Sequence, residues 1–548
     1  MLTTTTNFDT YNDASAKTPL HVIEFDGLST IYCDHLPSDA TEFYKPYIVD
    51  ISGLDQQITI QKGKSSIGSL VVTILDVNQS LSIQIANDAT YFHRKKATLK
   101  SGYVGNAIAD LLQESTGWVT DMKRSPDGLS WIFSITDPQK WLQKTIFRNA
   151  TDLNPYYLSG NPIKIALSIL TSSDSGTNSD YDLGDSDYGC GLDSDSVNIS
   201  SMERVMGDRF WGQTHNLYFV ITEKQKAKDF LEREIWQVLN CYPQIDGSGK
   251  FFIVPFAPPV ATRQVQTFDS QVIIGNKMPS LDMNLSAMIN EIDFQIDYDY
   301  TSGEFNYIYY YVNADSYENR GPSSDPLSIK SKGLKITMGT WSQPSHALEV
   351  INRRQQAVFA RLAIPPIKIS FDAFFSQRIT EVGDIVPFSH NNLIDVETGQ
   401  LGIDSRLMEV TNKKVNRRNG TTSFTFLDTG FAKDKYSVFS PYMTIVSASS
   451  GTDFVVSVSD ALLFEEGWEA MVVDQYMNIK AASITILTID TGTGAITCDD
   501  IGLTPSAGWH VQFAAYDDVT ASQQNYAFMA DSNDFLGASN DAAHLLNA

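Results

Sequence analysis

The chain has 548 residues and a formal net charge of −25, from 65 acidic against 40 basic side chains. This length exceeds what one hydrophobic core supports and predicts roughly three to five domains of about 100–200 residues. A hydrophobic content of 42% excludes a disordered protein. The acidic balance argues against a phosphate-neutralising surface, and so against sequence-independent nucleic-acid binding.

Cysteine usage and the N-terminus narrow the class further. Cys33, Cys190, Cys241 and Cys498 lie far apart without any metal-ligand spacing, which predicts free buried thiols and no disulfide framework. No apolar run reaches the roughly 18 residues of a membrane helix. Residues 1–19 lack the features of a signal peptide and are predicted to form a polar arm, so we expect the protein to stay in the compartment where it is made.

Residues 20–150 are predicted to be mostly β. The segments "LHVIEFDGL", "KPYIVDISG" and "GSLVVTILDV" alternate or are rich in β-branched residues, which is typical of strands. In "GNAIADLLQES" the apolar Ile108, Leu111 and Leu112 predict a short helix. The segment "SWIFSITDPQKWLQKTIF" predicts a strand and then a helix, with Asp137 as N-cap and Pro138 in the first turn.

Residues 151–279 are predicted to form a helix-containing domain. Helices are expected at 161–173 and at 223–244, where Ala227, Phe230, Leu231, Ile235 and Leu239 form one apolar stripe. The segment "DGSGK" (246–250) predicts a hairpin leading into the strand "FFIVPF".

Between these helices lies a long loop rich in Gly and Asp. Carboxylates two residues apart can bind a hard cation such as Ca²⁺, but Cys190 and Ser196 stand where an EF-hand loop needs Gly and Glu. A solvated acidic loop and a loosely bound Ca²⁺ or Na⁺ both remain open. The acidic residues are Asp174, Asp180, Asp182, Asp185, Asp187, Asp193 and Asp195.

The remainder is again predicted to be β. Residues 280–436 hold the strand-like "MINEIDFQIDYDY", "EFNYIYYYVNAD" and "GLKITMGTW", then a helix at 345–362 that Pro365 and Pro366 end, then further strands through "TSFTFLDTG". Residues 437–548 have short strands and Gly/Thr/Ser turns. Two similar pieces there, "EEGWEAMVVDQ" and "SAGWHVQFAAYDD", predict a small β-barrel or sandwich.

The stretch "GDIVPFSH" (383–390) raises the question of a catalytic histidine. Alternation directs Ile385, Pro387 and Ser389 one way and Asp384, Val386, Phe388 and His390 the other, and Pro387 indicates an edge strand. A catalytic base would need an orienting group and a reacting group close by, and the segment offers acids but no placed nucleophile. The stretch is therefore predicted to be scaffold, with His390 at the edge of a loop.

A search for chemistry yields no predicted catalytic, cofactor-binding or metal-binding residue. The eight histidines show no HExxH pairing, and there is no GxSxG elbow or GxxxxGK[ST] loop. The Gly-containing "TGTGAI" (491–496) is interpreted as a turn. We expect a non-enzyme with no cofactor and no tightly bound transition metal.

Scattered motifs over roughly residues 20–540 resemble the hub proteins of long-tailed (siphovirus-type) bacteriophages and gene transfer agents. They are, in order, "WIFSITDPQKWLQKTIF", "NPIKIALSILTSSDSGTNSDYDLGDSDYGCGLDSDSVN", "FLEREIWQVLNCYPQIDGSGKFFIVP", "GDIVPFSH" through "TSFTFLDTG", and "YDDVTASQQNYAFMADSNDFLG". The loop sequence "GDSDY" departs from the more apolar stretch of relatives. The iron–sulfur cluster of some tail-tip proteins does not carry over, because the four cysteines do not match its pattern.

The resemblance implies a structural virion protein at the tail tip or baseplate, synthesised in the host cytoplasm. Such hubs are trimers around the DNA exit channel, and two tube-like barrels per chain match sixfold to threefold symmetry. The implied organisation is mainly β with a few helices (α+β, multidomain): an N-terminal arm (1–19), a first tail-tube-like β-barrel (20–150), an insertion domain with the acidic loop (151–279), a second tail-tube-like barrel (280–436) and a distal β domain (437–548).

The implied partners follow from the same resemblance. They are two further copies in a homotrimer, the tail tube and distal tail proteins, central tip or fibre proteins, and the tape-measure protein. DNA in transit would pass without specific binding, and host-surface contact is a further expectation. We expect the surface facing the axis to be net negative, and the basic clusters "FHRKK" (92–96) and "NKKVNRR" (412–418) to face acidic neighbouring chains.

Two other classes stay open at this point. A cell-wall or polysaccharide hydrolase would need two carboxylates roughly 5–10 Å apart in a cleft, which 65 acidic residues do not exclude. A carbohydrate- or receptor-binding protein could use Trp468, Trp509 and Tyr516 as a platform, although core packing is the simpler interpretation of these aromatic side chains.

Overall fold

The structure is a computed structural model. It describes residues 4–13, 17–59, 62–66, 68–171, 189–192, 194–199, 202, 217–255, 267–274, 278–283, 285–336, 347–396, 399–429, 443–461, 464, 466–474, 479–490, 492–513, 528–530 and 543–545. Across these residues the fold is mainly β, with several sheets and few helices, which confirms the predicted class. None of the helices in these ranges is long and apolar enough to cross a membrane.

The strands are numbered in chain order. Those of the first part are β1 Pro19–Phe25, β2 Ile31–Cys33, β3 Tyr44–Lys45, β4 Ile48–Gly53, β5 Asp55–Thr59, β6 Lys64–Ser65, β7 Ser69–Leu75, β8 Lys96–Tyr103, β9 Leu112–Arg124, β10 Ser130–Thr136 and β11 Thr145–Ile146. Those of the second part are β12 Tyr156–Gly160, β13 Leu217–Ile221, β14 Gln225–Lys226, β15 Cys241–Ile245 and β16 Phe251–Pro255.

The later strands continue the same numbering. Up to residue 428 they are β17 Ser280–Asp282, β18 Glu291–Asp299, β19 Glu304–Val312, β20 Leu327–Lys330, β21 Lys368–Phe374, β22 Ile385–Ile394, β23 Leu401–Asn416 and β24 Thr421–Asp428. The last group is β25 Met443–Ala448, β26 Asp453–Val456, β27 Glu469–Val473, β28 Ile479–Asp490, β29 Ala495–Cys498, β30 His510–Phe513, β31 Phe528–Ala530 and β32 Ala543–Leu545.

The helices connect and cover these strands. They are α1 Thr6–Asp13, α2 Ser80–Asn87, α3 Pro162–Thr171, α4 (Ala227–Phe230, a π-helical segment Leu231–Trp236, and Gln237–Leu239), α5 Ala314–Arg320, α6 Ala347–Leu362 and α7 Val458–Ala461. Short 3₁₀ turns cover Val77–Gln79, Ile108–Asp110, Pro138–Gln143, Ser194–Ser196, Leu285–Ala287 and Phe375–Ile379.

The first sheet has eight strands in the order β3-β2-β1-β8-β9-β10-β7-β4. Its pairs are antiparallel except β2 with β3. Alternate residues such as Leu70, Val72 and Ile74 of β7 are buried in its core, and α2 covers that core with Leu81 and Ile85.

The second sheet draws strands from two distant parts of the sequence. Its order is β17-β21-β24-β23-β5-β6, and β22 pairs with β23. The hairpin β5–β6 leaves the first sheet between β4 and β7 and pairs with the end of β23. Gly53 and Leu54, with φ of 90° and 68°, make the turn at this departure.

A third sheet, β19-β18-β20, belongs to a separate core. This core combines α3, α4, the third sheet and α6, so it joins residues 142–253 with residues 289–363. The predicted boundary near 280 therefore runs through a packed core, while the five-part division as a whole stays a prediction. Beyond residue 437, β25-β26-β29-β28-β27-β30 close into a six-stranded barrel with its own core.

Several predicted elements are confirmed. Asp137 caps the 3₁₀ turn that begins at Pro138, because its side chain accepts a hydrogen bond from the Gln139 N–H at 2.9 Å. The helix of 161–173 is α3, and the 246–250 hairpin joins β15 to β16. The two "GW" pieces lead into β27 and β30, which pair with each other.

Other predicted elements are wrong. The helix predicted over "GNAIADLLQES" is a single 3₁₀ turn followed by β9, because Leu112, Glu114 and Thr116 alternate inward between β8 and β10. The helix predicted over 223–244 is present as α4, but it is shorter: it begins at Ala227, after β14, and Asn240, with a left-handed φ of 61°, ends it before β15.

Three more expectations need correction. The polar arm contains α1, which docks on the first sheet. His390 lies within β22 opposite Ile403, not in a loop, although β22 is an edge strand as Pro387 indicates. The described start of "GLKITMGTW", residues 333–336, is not a strand, and β20 takes the position beside β18.

Candidate functional site: the inter-sheet junction

Two sheets meet at a buried cluster of charged side chains that we term the inter-sheet junction. Its members are Glu114 on β9, Arg378 in the Phe375–Ile379 turn, Lys413 on β23, and Arg417, the residue that follows β23. All four side chains are buried. Glu114 faces inward because it shares the buried face of β9 with Leu112 and Thr116.

Glu114 is the centre of the junction. Its Oε1 accepts from Arg378 Nε at 2.7 Å and from the Ser101 hydroxyl, while its Oε2 accepts from Arg417 Nη2. The Lys413 ammonium donates to the Arg378 carbonyl at 2.5 Å. One carboxylate of the first sheet thus holds two guanidinium groups of the second.

Helix α1 closes the junction from the N-terminal side. Phe8 is fully buried, and the Arg378 guanidinium lies 5.2 Å from the centre of its ring and 4.2 Å from that of Phe375. Arg378 Nη1 donates to the Tyr103 hydroxyl at 2.9 Å, which in turn donates to Asn12 Oδ1 at 2.6 Å. The arm therefore completes the hydrogen bonding of this arginine.

The hairpin β15–β16 connects the core that joins residues 142–253 with 289–363, here called the third core, to the inter-sheet junction. Tyr242 on β15 donates its hydroxyl to Glu409 Oε1 at 2.5 Å, and the Arg361 guanidinium of α6 pairs with the other Glu409 oxygen. Gln244 Nε2 donates to the Val382 carbonyl at 2.5 Å. The loop of this hairpin also contacts β9, since the Gly247 carbonyl accepts from Gln113 Nε2 at 3.2 Å.

Burial and mutual charge shift the pKa values here. Burial would raise the pKa of Glu114, but Arg417 and Arg378 outweigh it and hold that pKa well below its ordinary value. Burial lowers the pKa of Lys413, opposed by Glu381 and Glu114. Burial and the neighbouring Glu409 raise the pKa of Tyr242 well above its ordinary value.

The arrangement is suited to fixing geometry. Buried ion pairs add little stability compared with apolar side chains, but removing one partner is costly because a buried charge is left without compensation. The first sheet, the second sheet and the third core therefore meet in a specified relation. We find no nucleophile–base pair at the junction.

The basic cluster 412–418 was expected to face neighbouring chains, and this is wrong for its buried members. Lys413 and Arg417 point into the junction, because Glu114 and Glu381 need compensating charge inside this chain. In the cluster 92–96, Lys95 likewise pairs within the chain, with Asp88 at 2.9 Å. Sequence reasoning missed Glu114 because it assigned the first residues of β9, 112–115, to a helix; alternation in a strand would have placed a carboxylate on the buried face.

The remaining sequence candidates lie elsewhere. His390 is half-buried, its ring stacks on Phe388, and burial lowers its pKa. Trp468 is buried in the barrel core against Phe464, so it does not form part of an exposed platform. Trp509 is partly buried against that core, and Tyr516 lies outside the described residues.

The acidic loop is largely outside the described residues as well. Only Asp195 of its seven aspartates is described, in the Ser194–Ser196 turn, so the cation question stays a prediction. Within the described ranges no group of three or more His, Cys, Asp or Glu side chains is placed to hold a metal ion. The expected lack of a transition metal remains to be measured.

No family model and no curated protein matches the chain. Among solved structures it is similar to a tail protein from Neisseria meningitidis, with a TM-score of 0.38, 11% identity, and coverage of 75% of this chain and 97% of that one. It is similar to the 43 kDa tail protein of prophage MuSo2 from Shewanella oneidensis, with a TM-score of 0.39, 11% identity, and coverage of 75% of this chain and 99% of that one. It is also similar to a chain of a gene transfer agent virion, with a TM-score of 0.27, 12% identity, and coverage of 74% of this chain and 89% of that one.

These solved structures are of the kinds of protein that the sequence motifs resemble. Because every TM-score given is below 0.5, the function proposed below depends on the chain's own residues.

Proposed function

We propose that the protein is a structural virion protein: the hub of a phage-type tail tip or baseplate, joining a sixfold tail tube to threefold tip proteins around the DNA exit channel. The observation that carries this proposal is the inter-sheet junction. It places two large, mostly antiparallel sheets of one chain in a fixed mutual relation. A trimer that joins a sixfold tube to threefold proteins needs two such sheets, fixed relative to one another, in each subunit.

Three copies would present six sheets to the end of the tube. In this arrangement the first and second sheets act as the two tube-like units, and their edge strands pair between copies. Tail tube and distal tail proteins would bind on one side, and central tip or fibre proteins on the other. The tape-measure protein and DNA would pass through the centre, where a chain of net charge −25 repels phosphates.

The rival classes gain no support from the described residues. A hydrolase needs a cleft with two positioned carboxylates, and the carboxylates gathered at the junction are buried and serve as partners of arginine and tyrosine. An exposed carbohydrate-binding platform cannot include Trp468, because this side chain is buried in the barrel core. Enzymatic activity is therefore not part of the proposal.

Electron cryomicroscopy of the particle that contains this chain would test the proposal. We expect three copies in one ring at the distal end of the tail tube, with the first and second sheets alternating around the axis. Six copies per ring along the tube, or absence of the chain from purified particles, would contradict it.

A further inference from the structure

The turn between β23 and β24 contains the dipeptide Asn419–Gly420, which is the only Asn-Gly pair in the sequence. The turn spans residues 417–420 and follows Asn416, which pairs with Thr421. In an Asn-Gly pair the backbone nitrogen of glycine can reach the preceding side-chain amide, because no Cβ obstructs the approach. The pair is therefore a candidate for a reaction between its own side chain and backbone.

The side chain that would react is free to move. Asn419 is exposed, and its backbone N–H donates to Asn416 Oδ1 at 3.1 Å. Its side-chain amide, by contrast, makes no hydrogen bond to any described residue. The Asn419 Cγ can therefore turn towards the backbone nitrogen that follows it.

The backbone nitrogen that would attack is free as well. In the part of the chain that the structure describes, no group accepts from the Gly420 N–H. Gly420 has a φ of 63°, and no atom lies within 4 Å of the position that a Cβ would take. Water therefore has access to this N–H, and the nearby positive charge of Arg418 favours the anionic nitrogen that forms when its proton is lost.

The β9–β10 turn offers a comparison at a similar position. Asp127 is exposed and precedes Gly128, whose φ is 70°. The Leu129 N–H donates to Asp127 Oδ1 at 2.9 Å. The Gly128 N–H donates to the Ser125 carbonyl, also at 2.9 Å. Exposure and backbone conformation are thus alike in the two turns, and the β23–β24 turn differs in that both reacting groups are free.

We propose that Asn419 is a site of spontaneous deamidation. The Gly420 nitrogen, after losing its proton to water, forms a bond to Asn419 Cγ, and the bond from Cγ to Nδ2 breaks. Nδ2 takes up a proton from water and leaves as ammonia, and a succinimide ring remains. Water then opens the ring at either carbonyl, which leaves aspartate or isoaspartate at position 419. The net reaction consumes water and releases ammonia, with no oxidant or reductant.

The product changes the turn that leads away from the inter-sheet junction. Both products add a negative charge, and isoaspartate also adds a methylene group to the backbone. Arg417 lies in the same turn and pairs with Glu114. The modification therefore takes place two residues from a member of the junction. The proposal is independent of the tail-hub function, because it depends on the chemistry of this turn alone.

The first test incubates the purified full chain at neutral and at mildly alkaline pH and follows its asparagine-containing peptides by mass spectrometry. We expect conversion at Asn419 that is faster at the higher pH and at least about tenfold faster than at Asn416, which precedes Arg417 and not glycine. Asn419→Gln should remove the acidic variant that ion-exchange chromatography detects in aged wild-type protein. No conversion at Asn419, or equal rates at the two asparagines, would overturn the proposal.

The second test separates structure from sequence. Asp127→Asn creates another Asn-Gly pair, in the turn where both groups are hydrogen-bonded. In the folded chain, position 127 of this variant should convert at least about tenfold more slowly than position 419, because its reacting groups must first leave their partners. In concentrated urea the two positions should convert at similar rates. Equal rates in the folded chain, or a difference that persists in urea, would overturn the proposal that the freedom of both groups makes Asn419 the reactive site.

Discussion

At the residue scale, Glu114 is the side chain on which the inter-sheet junction depends. Glu114→Gln leaves Arg378 and Arg417 buried without a counter-charge, so we expect a loss of about 3–5 kcal/mol in the free energy of unfolding at pH 7. The matched control is Glu24→Gln on β1. Its 2.8 Å pair with Lys100 is partly exposed, and its loss should cost less than about 1 kcal/mol.

The pH dependence of this effect has a defined sign. The pKa of Glu114 is lower in the folded state than its ordinary value of 4.5, so its contribution is present above that value and lost as the pH falls below it. Urea unfolding at pH 7 and at pH 4 should show a smaller difference between wild type and variant at pH 4. An equal difference at both values would contradict the assignment.

The contribution of Asp137 to stability should depend on pH in the opposite way to that of Glu114. Burial raises its pKa from 3.8 to about 7, despite hydrogen bonds from the Gly68 and Gln139 N–H groups and the charge of Lys228. Its stabilising effect is complete below about pH 4 and is lost as the pH rises through 7.

Asp137→Asn keeps an acceptor for the cap and removes the titration. We expect the variant to gain stability relative to wild type between pH 5 and pH 8, by about 1–3 kcal/mol. Thermal unfolding across that range measures it, with Asp127→Asn in the exposed β9–β10 turn as control. A difference in stability between the Asp137 variant and wild type that stays constant from pH 5 to pH 8 would refute the raised pKa.

At the element scale, α1 is a structural part of the junction and not a loose arm. Phe8→Ala removes a fully buried ring from Arg378 and Tyr103, and a loss of about 3–5 kcal/mol is expected. Thr10→Ala changes an exposed side chain of the same helix and should cost less than about 1 kcal/mol. Unfolding of both variants in guanidinium chloride measures the loss in the free energy of unfolding. Equal small losses would mean that the arm contributes little to stability.

The strands were largely predictable from sequence, because alternation over β7, β21 and β24 is regular and is also seen in the burial pattern. The stripe of α4 was predictable for the same reason at helical spacing. β9 was not, since its apolar residues also fit a helix and only pairing with β8 and β10 decides between them. The spacing of apolar residues can be read from a segment itself, but the strands with which the segment pairs cannot.

The junction was beyond sequence reasoning for this reason. Glu114 and Arg417 are separated by 303 residues, and nothing local to either one indicates the other. The short segment β5–β6 joins the second sheet although the strands around it in sequence belong to the first. A domain division drawn from composition along the chain cannot represent such an exchange.

At the scale of the whole molecule, the barrel of β25–β30 has a core of its own. Its residues, from Met443 to Val511, share no core cluster with the described residues before 430. The predicted division at 437 lies outside the described residues, between these two sets of core residues, and stays a prediction. A unit of this kind can be removed without exposing the sheets that we propose form the ring.

Deleting residues 437–548 should consequently leave a folded protein that still forms a homotrimer on the tail tube but does not complete the tip. Interfaces between copies should be large, above about 2,000 Å² per contact, as in obligate assemblies. Because the end of the tube can template the ring, oligomeric state should be measured in assembled tails, by image classification of full-length and truncated particles. The matched control is Trp468→Ala, which should disrupt the barrel core alone and leave the ring intact. A truncated chain that fails to fold, or full-length protein that stays monomeric in tails, would defeat the trimer with a separable distal barrel.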